Sequence, residues 1–105
     1  GMLRSFDYAA WAALDRISAD HPDRRDLLTP HVSAWRDATC AAFMSAYQET
    51  IPGCATYPAD EKAAKALLNL AMLEKLFYEI EYELANRPAW LGIPLASATA
   101  ALGLK

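Results

Sequence analysis

Apolar positions along the chain recur at steps of three and four residues and nowhere alternate between turn residues, which is the pattern of helices and not of strands. Leu3, Phe6, Ala10, Ala13, Leu14 and Ile17 trace the first stripe. It predicts an amphipathic helix ending near Ser18, because Asp20-His21-Pro22-Asp23 is turn chemistry and Pro22 disfavours helix in the residue before it. Asp20 to Asp26 is expected to be a charged loop, where Arg24 and Arg25 read either as an anion contact or as solvated surface. Thr29-Pro30 is expected to open the second helix, with a hydroxyl to cap exposed N–H groups and a proline where its missing donor costs nothing. Trp35, Ala38, Ala42, Phe43, Ala46 and Tyr47 form its face as far as about Thr50, and Ile51-Pro52-Gly53 stops it.

The third helix is expected to dominate. Pro58 followed by Asp60-Glu61 signals its start, with acids near the positive end of the helix dipole. From about Ala59 to Asn86 there is no Gly or Pro, and Ala, Leu, Glu, Lys and Met abound. At 1.5 Å per residue the run would be roughly 40 Å long. Apolar residues cover most of its circumference between Ala63 and Ile80, as expected of a helix packed on several sides. Arg87-Pro88 ends it, Trp90 to Pro94 is read as a short connector, and Pro94 is expected to start a last helix through Leu102. The pattern therefore predicts an all-α fold, a small bundle of about four helices with one long central helix, forming a single helical domain over residues 1–105. There is no internal repeat and no low-complexity tract.

Composition narrows the function classes. Hydrophobic residues make up 54% and charged residues 22%, which suits a packed domain and not a disordered tail. The net charge is −3 and the isoelectric point about 5.2, so no clustered basic face points to nucleic acid. The most apolar stretch, Ala63 to Leu73, is broken by Lys65 and Asn69, whereas a membrane span needs roughly 20 apolar residues in succession. No signal peptide is read at the start, Gly1 ahead of Met2 is expected to be a cloning remnant, and a cytoplasmic setting is expected. Cys40 and Cys54 lack CxxC spacing and are expected to be two free thiols in a reducing compartment.

Catalytic inventories come up short. The four Gly residues build neither GxGxxG nor GxxxxGK[ST]. His21 and His31 have no ligand-like spacing and are read as surface residues, so neither a metal site nor a nucleophile–His–acid triad assembles. The carboxylates of the third helix lack the Glu-x-x-His pairs of di-iron bundles. One region does carry a pattern. Glu74, Tyr78 and Tyr82 share one side of the helix at four-residue steps, with Lys75, Glu79 and Glu83 as the adjacent row. Aromatic rings beside carboxylates can stack on a sugar face and accept its hydroxyl protons. The same residues also read as four-apart ion pairs, Lys75–Glu79 and Glu83–Arg87, worth a few tenths of a kcal/mol each, beside tyrosines of the core. Trp35 is expected to be a core anchor, and Trp90, past the helix end, to touch a ligand or another domain.

Two stretches resemble bacterial maltokinases, including those fused to trehalose synthase. Met2-Leu3-Arg4-Ser5-Phe6-Asp7-Tyr8-Ala9-Ala10 is similar to an internal segment of that family. Leu73-Glu74-Lys75, Tyr78-Glu79, Tyr82-Glu83, Asn86-Arg87-Pro88, Trp90 and Ile93-Pro94-Leu95 resemble its C-terminal end, in the same order and spacing, although the family has Asp where this chain has Ala89. The resemblance covers nearly the whole chain. It implies the C-terminal helical part of the acceptor lobe of a protein-kinase-like phosphotransferase, which phosphorylates the anomeric hydroxyl of maltose. ATP and Mg²⁺, and the catalytic and metal-binding Asp residues, belong to upstream parts of such a protein, so the resemblance implies no cofactor and no kinase activity for this chain by itself. Its implied partners are the rest of a kinase-like lobe or a trehalose synthase domain. Its implied sugar contacts, on the wall of a maltose pocket, are Asp7, Tyr78, Tyr82 and Arg87.

Two other readings stand beside it. A helix apolar nearly all round can mark a free-standing interaction module or a homodimer. A small helical enzyme of the chorismate mutase kind would need cations on its long helix to clamp a dianion, and the third helix offers chiefly Lys75 and Arg87 at its polar end.

Overall fold

A computed structural model describes residues Gly1 to Leu104. The fold is all-α, with no strand among the described residues. Its four helices are α1 (Met2–Asp20), α2 (Arg25–Thr50), α3 (Glu61–Asn86) and α4 (Gly92–Ala101), with 3₁₀ turns at Pro22–Arg24 and Pro88–Trp90. The chain forms two compact units, Gly1–Cys54 and the remainder from Ala55.

The first unit is an antiparallel hairpin of α1 and α2. Phe6 meets Phe43 edge to face at 5.8 Å near one end, and Asp15 pairs with Arg25 at 2.7 Å beside the turn. Ala10 and Leu14 supply the buried apolar side of α1. Helix α1 runs two residues past the expected stop, because the restriction imposed by Pro22 acts on His21 alone, which turns to φ −137°, ψ 71°. The expected charged loop is taken up by the end of α1, a 3₁₀ turn over Pro22–Arg24 and the start of α2, which begins at Arg25, a full turn ahead of Thr29-Pro30. Pro30 therefore lies inside the helix, and Thr29 Oγ1 donates to the Arg25 carbonyl at 2.7 Å in place of capping. The run Pro22-Asp23-Arg24 supplies a proline-led first turn of its own and leads straight into α2. After Ile51 the chain reverses at Gly53, whose φ of +89° suits a residue without a Cβ.

In the second unit Asp60 caps α3, its Oδ1 accepting from the Lys62 N–H at 3.2 Å. Helix α3 ends where Arg87, the residue before Pro88, leaves the helical region. Helix α4 starts two residues before the expected Pro94, which sits at the third position of the first turn, where no donor is needed. Helix α3 is the expected long helix, at 26 residues, and α2 matches it in length. It is not packed on several sides: Leu76, Glu79 and Glu83 are its buried residues, while Leu67, Leu70, Phe77 and Leu84 are exposed. An apolar circumference says what a helix can bury, not how many neighbours it has.

Candidate functional site

The C-terminal end of α3 and the turn after it carry a row of aromatic rings with a cation against each. Tyr78 and Tyr82 lie one turn apart, with ring centroids at 6.2 Å and planes 20° from parallel. Both are open, at 56% and 43% exposure, so neither is a core residue. Lys75 Nζ lies 4.5 Å over the Tyr78 ring, although its spacing suggested Glu79 as its partner. At the other end the Arg87 guanidinium sits 4.5 Å from the Trp90 ring and 5.5 Å from Tyr82. Each such contact contributes about 0.5–1 kcal/mol at an exposed site. Asn86 Nδ2 donates to the Tyr82 carbonyl at 2.9 Å, which ties the last turn down.

Arg87 is held from below. Its Nε donates to Glu83 Oε1 at 2.9 Å, and its Nη2 lies 2.9 Å from the same oxygen in an ion pair. Glu83 is 0% exposed, whereas the Arg87 side chain is nearly half exposed, so the anchor is buried and the cation faces outward. The four-apart spacing had suggested a surface ion pair here. What it could not show is that the glutamate faces inward, and Trp90, carried by the 3₁₀ turn after Pro88, closes over the guanidinium.

Asp7 lies in the first unit and is buried. Its Oδ2 accepts from Arg4 at 2.9 Å and its Oδ1 from Arg36, also at 2.9 Å, with Arg36 reaching on to Asp37. Partial burial pulls the Arg36 value down, but the hydrogen bonds to Asp7 and Asp37 outweigh it and hold the guanidinium above its ordinary value. Cys40, one turn beyond Arg36, is pushed up by burial, which keeps the thiol protonated. No disulfide joins Cys40 to Cys54. Arg4 lies three residues from Asp7 on α1, whereas Arg36 comes from α2, and neither pairing was read from the sequence.

The chain matches no family model and no solved structure.

Of the four residues expected on a sugar wall, Tyr78, Tyr82 and Arg87 come together in one row, and Asp7 belongs to the ion-pair cluster on α1 and α2. Trp90, expected at a contact, joins the row through Arg87. Trp35 departs from expectation: it is 50% exposed and walls an open apolar groove between α1 and α2, floored by Ala9, Ala10 and Ala13. The alanines are too short to enclose an indole, which is why the ring stays at the surface. His31 lines the same groove, and both histidines are exposed. Among the described residues no group of His, Cys, Asp and Glu is arranged to hold a metal, and no helix is long and apolar enough to cross a membrane.

Proposed function

We propose that the chain is a noncatalytic helical segment of a maltokinase-like acceptor lobe, and that Tyr78, Tyr82 and Arg87 contact the glucoside. The reading rests on the resemblance of the two terminal stretches and on one structural observation: an open tyrosine pair flanked by a guanidinium already oriented by a buried carboxylate. Tyrosine faces pack against the C–H faces of a pyranose, and the phenol and guanidinium groups can bond its hydroxyls. Arg87 donates Nε–H to Glu83, and a guanidinium has five donors, so others remain for a ligand. Asp7, with both oxygens engaged by arginines, has no part in this contact. Phosphoryl transfer is positioning and charge stabilisation around phosphates and metals, and the chain's role in this reading is positioning alone.

The test is saturation-transfer NMR with maltose, irradiating the aromatic protons of the whole chain. Weak, millimolar-range transfer to the sugar is expected, because part of a pocket lacks the oriented groups of a complete one. Tyr82→Ala should reduce the transfer and Trp35→Ala should leave it unchanged. Transfer that ignores Tyr82, or none at all, would overturn the reading.

A second reading, a helical interaction module, draws on a separate observation: the open apolar side of α3.

A further inference from the structure

Helix α3 has two distinct sides. Leu76, Glu79 and Glu83 are buried on one of them. On the other, Leu67, Leu70, Phe77 and Leu84 are each 54 to 63% exposed. Glu74 and Glu81, also exposed, fill the gaps, so that 67, 70, 74, 77, 81 and 84 follow steps of three and four. At 100° per residue these six positions fall within a sector of about 100° and run for roughly 25 Å. That is the seam of a helix pair, in which each side chain inserts between four on a facing helix. The spacing selects an α-helix as the covering element.

Charge selects which helix. Neither Glu74 nor Glu81 forms a hydrogen bond or ion pair among the described residues. Covering the seam would strip water from both carboxylates, a cost that only facing cations offset. The same side of α3 on a second copy supplies none. Parallel pairing would set Glu74 on Glu74 and Glu81 on Glu81. Antiparallel pairing that matches Leu67 to Leu84 would set the same glutamates against Phe77 and Leu70. Lys62 and Lys65 project outside the sector, and Lys75 lies over the Tyr78 ring.

We propose that this side of α3 is a docking surface for a basic amphipathic helix of another protein segment, apolar along its seam and carrying Lys or Arg seven residues apart to face Glu74 and Glu81. The inference rests on the interaction-module reading and is independent of the sugar contact.

The test uses the whole chain and two labelled helical peptides of about three heptads. Both carry Leu along the seam; one has Lys and the other Glu at the positions facing Glu74 and Glu81. Fluorescence anisotropy should show the Lys peptide binding about tenfold more tightly than the Glu peptide, with the difference shrinking as salt rises. The double substitution Glu74→Lys with Glu81→Lys should reverse the preference. Leu70→Ser with Phe77→Ser should abolish binding of either peptide while circular dichroism stays helical, since both side chains are already exposed. Equal binding of the two peptides would overturn the charge assignment and leave a helical docking surface. Binding of neither would overturn that surface as well. Sedimentation showing a dimer that the serine variant dissolves would assign the seam to a second copy. Capture by anionic vesicles in place of the peptides would assign it to a lipid surface. Each of these last two outcomes overturns the proposal.

Discussion

At the scale of single residues, exposure decides which half of an ion pair matters. Glu83 is buried and Arg87 is nearly half exposed. Replacing Glu83 by Gln keeps an acceptor and leaves a cation that water can solvate, a loss of about 1 kcal/mol. Replacing Arg87 by Ala strands a carboxylate in the interior and should cost about 3 kcal/mol. Urea unfolding of the two variants should show that order; the reverse order would mean that the carboxylate has another source of compensation. Asp7→Asn belongs to the same class. It removes the charge held between Arg4, itself buried, and Arg36, and a loss of about 3 kcal/mol is expected, read as a lower urea midpoint at unchanged slope. The residues of these clusters were only partly legible beforehand. Glu83–Arg87 lies within one helical turn, where spacing implies contact; Arg4–Asp7 does too but was not singled out, and Arg36 reaches Asp7 across 29 positions of chain with no local pattern pointing to it.

At the scale of elements, punctuation was readable and register less so. Proline and glycine mark every break between helices, because a missing donor and a left-handed turn act on their immediate neighbours. They do not say whether a helix starts at the proline or a turn before it. At Thr29-Pro30 the expectation of a cap was mistaken, since Pro22 had already opened a turn that α2 could extend. The cap at Asp60 was foreshadowed by the acids after Pro58. Asp60→Ala should lower stability by about 1 kcal/mol and fray the first turn of α3. Amide exchange at Lys62, whose N–H the carboxylate holds, should accelerate selectively. Protection unchanged there would show that the cap contributes nothing.

At the scale of the whole molecule, the all-α class followed directly from periodicity, and the tyrosine row followed from the four-residue step between Tyr78 and Tyr82. The positioning role proposed for the chain has a direct consequence: with ATP, Mg²⁺ and maltose together, no ADP should accumulate above a no-protein control in a coupled assay. Turnover that survives further purification would overturn the noncatalytic reading. The open side of α3 was misjudged as one more packed face, and the reason is general. A sequence shows how much apolar surface a helix offers, and only its neighbours show how much of it they take up.

By itself, the sequence determined that the chain is helical, where its helices break, and that Tyr78, Tyr82 and Arg87 share one end of a long helix. These are local properties, set by side-chain periodicity and by residues acting on the one or two positions beside them. The tertiary structure alone decided that Glu83 is buried beneath Arg87, that Asp7 is held by Arg36, that Trp35 lies at the surface, and that Leu67, Leu70, Phe77 and Leu84 face outward. Each of those outcomes depends on which segments, distant in the chain, come to lie against one another. Burial is a property of that meeting and not of any residue alone.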